Sequence, residues 1–551
     1  MTHNNIPYPF NLGSYSRPIT TTSAAAQTWF DRGLLWTYGF NHEEAIDCFE
    51  KSAEIDPTCA IAYWGMAYAH GPFVNKVWES YSPQALRHTL EICYELLQTA
   101  RTLDASPVET DLIEALLTRH PSPELVSYAV LHNRNDAFAD AMRNVYAKHS
   151  EDDDVATIFV EAMMNRTPWQ LWDVAIGEPK PPADTLEMMA VLEQAMQRRR
   201  DQALPAHSGV SHFYIHTMEM SPFPERALPA ADALRDLVSA SGHLQHMPAH
   251  IDVLCGQYQA ALIASDKAIA ADDAFASVRG ELKFYTLARC HNHHLKLFAA
   301  MFAGQFAPAL AAGNDIQAML PDALLLAADD YFRIVAEAYY SMKTHALVRF
   351  GKWQMLIDAP LPANQALHCV TTAMLHYGKG VAYAATGDVV SAENQHHLFQ
   401  AAYAMISAEQ FIFNNSAHNV LDVAAAMLNG EIDYRKGRYD SAFAHLRHAA
   451  TLSDTLNYTE PWAWMHPPRH ALGALLLEQG HVAEAEAVYR ADLGIDNVLH
   501  RPSQHPNNVW SLHGYAECLR RLHKPNADIA QRLAQALALS DGTINASCCC
   551  R

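Results

Sequence analysis

Residues 29–57 read WFDRGLLWTYGFNHEEAIDCFEKSAEIDP, and this stretch decides the fold. Small residues (Gly33, Ala45) alternate with bulky ones (Trp29, Trp36, Phe49) in two helix-like segments around a short turn. Small residues let two helices approach closely, and large ones fill the gaps between neighbours. The pattern returns downstream. GQYQAALIASDKAIAAD, GQFAPALAAG, GDVVSAENQ, GRYDSAFAHLRHAATLSD and GHVAEAEAVYRADL each set a glycine five residues before a small residue. Those pairs are Gly256 and Ala261, Gly304 and Ala309, Gly387 and Ala392, Gly437 and Ala442, and Gly480 and Ala485. Gly380, Gly430 and Gly473 stand seven residues ahead of the last three turn glycines. Strand-like alternation is scarce, so the chain is expected to be all-α.

The opening stretch resembles a tetratricopeptide repeat, a helix-turn-helix unit of about 34 residues. In that frame Trp29 takes position 4, Gly33 position 8, Trp36 position 11, Ala45 position 20, Phe49 position 24 and Pro57 position 32. The resemblance implies a tetratricopeptide-type α-solenoid, a right-handed superhelix of such units whose first helices line a concave groove. NVWSLHGYAECLRRL, 508–522, is similar to a last helix of the same kind. Pro-rich stretches mark the joints: GEPKPPADT at 177–185 and DAPLPANQ at 358–365. The expected organisation is an extended N-terminal segment (1–25), a first repeat block (26–176), a central His-rich block (186–357), a C-terminal block (366–540) and a Cys-rich disordered tail (541–551).

Half of the 551 residues are apolar and 18% are charged, which suits a packed core rather than a disordered chain. The net charge of −21 argues against nucleic acid and against an anionic membrane surface, both of which attract basic proteins. The N-terminal residues lack the basic start and apolar core of a secretory signal, and no apolar run reaches the roughly 18 residues of a spanning helix. A soluble, cytoplasmic protein is expected. Cys48, Cys59, Cys93, Cys255, Cys290, Cys369 and Cys518 are scattered singly and read as buried thiols, not as a disulfide framework. Cys548, Cys549 and Cys550 fall in the tail.

Histidine is the compositional outlier, with 31 copies. In SHFYIHTMEM (211–220) His212, His216 and Glu219 share one helical face. His246 lies 34 residues after His212, and His250 lies 34 after His216, so two successive repeats carry the same pair. After an insertion of 14 residues His294 takes the position of His212 and His246, while His291 takes that of His243. Packed helices run roughly 8–10 Å apart, close enough for imidazoles of adjacent first helices to converge. Neutral imidazoles are good ligands for transition ions, whereas Mg and Ca prefer oxygen. The candidate metal ligands are His212, His216, His246, His250, His291 and His294, with His243 and His470 as additions. Glu219 is a candidate ligand, orienting residue or general base. The same face could also bind a peptide or an organic ligand without a metal. Pro248, in HMPAH, either begins its helix or kinks it.

EAMMNRTPWQLW (161–172) offers Glu161, Asn165, Trp169 and Trp172 as walls of a substrate pocket. His376 falls at a helix-packing position and reads as core. No P-loop, Gly-rich dinucleotide turn or GxSxG elbow is present.

Over nearly its whole length the chain resembles a family of tetratricopeptide-domain proteins of bacteria and fungi. HFYIH (212–216), HMPAHI (246–251) and HNHHL (291–295) carry that resemblance most specifically, with EAMMNRTPWQLW, RFGKW and EPWAWMHPPRHALGALL. His293, His466 and His470 go beyond the usual pattern and leave open whether the site has extra ligands. The family supplies no reaction.

The expected function is that of a metal-dependent enzyme. An oxidoreductase using Cu or Fe would oxidise a small organic molecule with O2, as in secondary metabolism. With Zn the chemistry would be hydrolysis or elimination. The other class is a non-catalytic scaffold binding a partner peptide in its groove. A protein partner on the repeat surface and a homodimer are both compatible with this sequence.

Overall fold

The computed structural model describes residues 8–280 and 284–551; residues 1–7 of the expected N-terminal segment lie outside the described residues. Residues 8–23 contain no helix or strand. Helix α1 (Ala24–Tyr38) then starts at Ser23, whose side chain accepts a hydrogen bond from the Ala26 N–H. Helix α2 (His42–Ile55) starts at Asn41, which accepts from the Glu44 N–H at 3.2 Å, with Glu43 and Glu44 in the first turn. Both the cap and the acidic turn satisfy the free N–H groups of a helix start. Helix α3 (Ala60–His70) follows.

Phe49 on α2 is the wedge of this unit. A Cβ on Gly33 of α1 would come within 2.6 Å of its ring, and one on Gly65 of α3 within 2.7 Å. Three helices therefore meet around one aromatic ring, which fills the space two missing side chains leave. Tyr489 does the same downstream, where a Cβ on Gly473 would approach it to 2.5 Å and one on Gly514 to 2.1 Å. Leu446 closes on Gly430 and Leu428 on Gly380 in the same manner. The five turn glycines picked out by the sequence, Gly256, Gly304, Gly387, Gly437 and Gly480, all have φ between +72° and +90°. That left-handed turn costs glycine nothing and joins consecutive helices.

The fold is an all-α, tetratricopeptide-type solenoid. It divides into two compact units, Met1–Ile251 with Lys267–Thr286, and Asp252–Asp266 with Leu287–Arg551. The first unit runs from α1 through helices Asp153–Met164, Thr185–Asp201 and Ser208–Glu219, and it includes His243, His246 and His250 of helix Gly242–Leu254. The main run of the second begins at Leu287, within helix Tyr285–Ala303, and continues through Ala527–Leu539. Among the described residues the strands are two small antiparallel hairpins, β1 (Trp172–Asp173) with β2 (Glu178–Pro179), and β3 (Phe411–Ile412) with β4 (Asn415–Ser416). Both Pro-rich stretches are connections: β2 and the loop after it cover 178–184, and 359–365 lies between helices Trp353–Asp358 and Cys369–Ala385. The second helix of the Gly256 repeat, Tyr258–Arg279, runs on for 22 residues.

The tail corrects an expectation. Residues 541–551 are packed, not disordered. Ser547 is buried and hydrogen-bonds Tyr489 and the His470 carbonyl, Arg551 pairs with Glu517 at 2.6 Å, and Cys548 is disulfide-bonded to Cys550. Low complexity hid the contacts that a serine and an arginine make with the preceding helices.

The wedge gives a direct expectation. Gly33→Val should lower unfolding stability by about 1–3 kcal/mol, the scale of overpacking a tight core, as read by chemical denaturation. An unchanged midpoint would show that the α1–α2 contact has slack.

Candidate metal centre

The helix Ser208–Glu219 is buried along its whole length. His207 caps it: its Nδ1 accepts from the Val210 N–H at 3.2 Å, and its Nε2 donates to Asp154 at 3.1 Å. Asp154 also takes hydrogen bonds from Tyr15, Tyr38 and Arg17. Burial would raise this carboxyl, but Arg17 and the His207 hydrogen bond hold it well below the carboxylate range. Near the other end Trp172 donates its indole N–H to the Thr217 carbonyl at 2.7 Å. The helix is thus fixed at both ends.

On this helix His212 and His216 face the start of helix Gly242–Leu254. The His212 Nδ1 lies 2.7 Å from the Tyr38 carbonyl, which can only accept, so Nδ1 carries the proton and Nε2 keeps its lone pair. That lone pair faces the His243 Nε2 at 3.0 Å. Glu219 receives the His216 Nδ1 at 2.7 Å on one oxygen and the His250 Nδ1 at 2.6 Å on the other. Burial would raise the Glu219 carboxyl, yet His250 and His216 hold it well below its usual range, so it stays a carboxylate and both Nδ1 atoms donate. The His250 Nε2 lone pair then points at the His246 Nε2, 2.8 Å away. The His216 Nε2 is buried with no hydrogen-bond partner among the described residues. Burial, and then neighbouring His216, push His212 well below the ordinary histidine range, which keeps it neutral.

This arrangement fits a transition ion. The donor atoms of His212, His216 and His243 lie within 4.8 Å of one another. Two imidazole nitrogens on one ion, each bonded at about 2.0–2.1 Å, sit roughly 2.9–3.3 Å apart. The 3.0 Å separation lies within that spacing and the 2.8 Å one just below it. Without an ion, the Nε2 protons of His243 and His246 bridge those gaps. The His216 nitrogen has no such remedy, and a buried unpaired acceptor costs about 1–3 kcal/mol. A carboxylate gripping the Nδ1 of a histidine is the usual way to aim its Nε2 at a metal. Here one carboxylate grips two.

Phe40 encloses the cluster and was not singled out by the sequence reading. Its ring lies 4.6 Å from that of His212, 4.8 Å from His243 and 6.0 Å from His216. Phe40 has φ +55°, in the left-handed region. It stands five residues before Ala45, where the other repeats place their turn glycine. A bulky residue there is strained, and that substitution within the repeat frame was the available signal.

The remaining candidates are placed as follows. His291 and His294 lie on helix Tyr285–Ala303 of the second unit, where His294 contacts Met465 at 3.2 Å. His470 is buried in that unit, donating to Asp492 at 2.9 Å and accepting from Arg349 at 2.9 Å. His466 pairs with His345 at 2.9 Å and with Tyr377 at 3.1 Å. His376 is buried and bonded to Gln395, in keeping with a core role. Glu161 and Asn165 are buried and bonded to each other, and Glu161 also accepts from Tyr68 at 2.7 Å. Trp169 occupies a turn with φ +54°, and Trp172 braces the histidine helix. Pro248 is the seventh residue of its helix, not in the first turn, so the Leu244 carbonyl loses its usual donor.

The tetratricopeptide-repeat profile matches residues 26–59. That segment is similar to a tetratricopeptide repeat, in keeping with the all-α helical-repeat fold. No curated protein matches the sequence. Among solved structures, the human IFIT1 dimer with m7Gppp-AAAA aligns at 9% identity over 93% of this chain and 89% of that one, with a TM-score of 0.32. Yeast Tom70 aligns at 9% identity, 93% and 95% coverage and a TM-score of 0.29. The APC/C hetero-tetramer Cut9-Hcn1 aligns at 14% identity, 95% coverage of both chains and a TM-score of 0.28. At such scores these likenesses carry nothing about function. Among the described residues no helix is long and apolar enough to cross a membrane.

Buried neutral histidines make stability pH-dependent. Burial lowers His42 and His345 to about 3 and His470 to about 4. The unfolded chain, with histidines near 6.5, takes up protons that the folded chain refuses. Stability is therefore full above about pH 6.5 and falls as pH drops toward 4, by about 3 kcal/mol for each such histidine. Denaturant midpoints measured from pH 7.5 to 4.5 should fall steeply below 6.5; a flat profile would contradict the buried neutral state.

Proposed function

We propose that the first unit holds a transition-metal centre on His212, His216, His243, His246 and His250, and that the chain is a metal-dependent oxidoreductase. The observation that carries this reading is Glu219, whose two oxygens each take an Nδ1 proton and so turn the Nε2 atoms of His216 and His250 toward their neighbours. An all-nitrogen donor set favours Cu or Fe over Mg or Ca, with Zn a third candidate. A bound Cu or Fe ion would supply one-electron chemistry toward O2, and the substrate class is a small organic molecule. The residues of the chain fix the tautomers, cover the cluster with Phe40 and keep His212 neutral.

A peptide-binding scaffold is the second reading, favoured by the tetratricopeptide repeat at 26–59. In that repeat, however, the face that would meet a peptide carries Gln27, Phe30, Leu34 and Thr37, of which Gln27 is half-buried and the other three are buried. This closed face favours an interior centre over an open groove.

Purified protein stripped of metal, then reloaded anaerobically with Cu+, Fe2+ or Zn2+ and dialysed, should retain at least one ion per chain. His216→Ala should abolish tight retention, and Glu219→Gln should weaken it by about 10–100-fold. Loss of all ions by the folded wild type on dialysis would overturn the reading. O2 uptake dependent on the loaded ion, tested with small phenols and amines, separates oxidation from hydrolysis.

A further inference from the structure

In the second unit His294 is poorly served by its surroundings. It is buried, its Nδ1 has no hydrogen-bond partner among the described residues, and its Nε2 faces the Met465 sulfur at 3.2 Å. A thioether is a weak acceptor, so this imidazole gains little from either nitrogen. Phe413 stacks on it at 5.0 Å and Tyr339 stands edge-on at 5.5 Å, forming a dry aromatic wall. Cys290 lies one helical turn before His294 on helix Tyr285–Ala303 and is also buried, so thiol and imidazole share a face.

We propose that Cys290, His294 and Met465 form a soft-metal site that takes Cu+. An ion bonded to an imidazole nitrogen at about 2.0 Å and a sulfur at about 2.3 Å holds those atoms roughly 3.5–3.7 Å apart, so the observed 3.2 Å contact would open by a few tenths of an ångström on binding. Thiolate and thioether select Cu+ among biological cations. Binding breaks the Cys290 S–H bond, forms a Cu–S bond and releases the proton to solvent. The bound cluster of Cu+, one thiolate and two neutral ligands carries no net charge, as a dry interior demands. A divalent ion would leave a buried positive charge. The site involves none of the residues of the first unit's histidine centre and stands whether or not that centre holds a metal.

The test uses the full chain with His212→Ala and His216→Ala, which disables the nitrogen centre. Cu+ is titrated anaerobically against bathocuproine disulfonate, and the copper environment is read by X-ray absorption. One equivalent should bind with sulfur at about 2.3 Å. Met465→Leu, which conserves volume and should fold, should weaken binding by about tenfold or more. Cys290→Ser should remove one sulfur from the absorption spectrum. A copper environment of nitrogen and oxygen alone, or Met465→Leu binding as tightly as its parent with unchanged circular dichroism, would overturn the proposal and leave the His294–Met465 contact a weak N–H···S hydrogen bond.

Discussion

Everything in the first unit depends on how closely its helices can approach. Phe49 reaches both Gly33 and Gly65 because neither has a side chain, and the distances leave no room for one. The same economy recurs where the histidine helices begin. A Cβ on Gly39 would meet Ser241 at 2.3 Å, one on Gly209 would meet Thr157 at 2.5 Å, and one on Gly242 would meet Asp272 at 1.9 Å. Each glycine brings the start or end of a helix against its neighbour. Without that contact the imidazoles of helices Ser208–Glu219 and Gly242–Leu254 could not come to 3 Å.

Packing then passes directly into chemistry. Helix α1 ends at Tyr38, and its last carbonyls lack partners within the helix. One of them orients His212. Two residues on, the turn that would ordinarily be a glycine is Phe40, whose ring covers three histidines. A single helix terminus therefore supplies both an orienting acceptor and the cover.

The repeat frame made much of this legible. Gly33, Ala45 and Phe49 gave the helix pair, and the 34-residue offset joined His212 and His216 to His246 and His250. Spacing gives the face of a helix but not how far one helix slides along another. That slide sets His243, read as an accessory, directly opposite His212. The role of the Tyr38 carbonyl could not be read at all, because every residue has a carbonyl. Glu161 and Asn165 looked like pocket walls because polar groups beside tryptophans often are; their mutual hydrogen bond and the one from Tyr68 come from distant parts of the chain. The packed tail escaped for the same reason.

The two devices that orient the histidines differ in how they withstand mutation. His216 and His250 share one side chain, so a single codon change at Glu219 loosens both at once. His212 leans on main chain, and no replacement at Tyr38 deletes a peptide oxygen. One substitution at Glu219 therefore frees two imidazoles that are themselves intact, while His212 keeps its acceptor through any side-chain replacement at Tyr38 that leaves α1 in place.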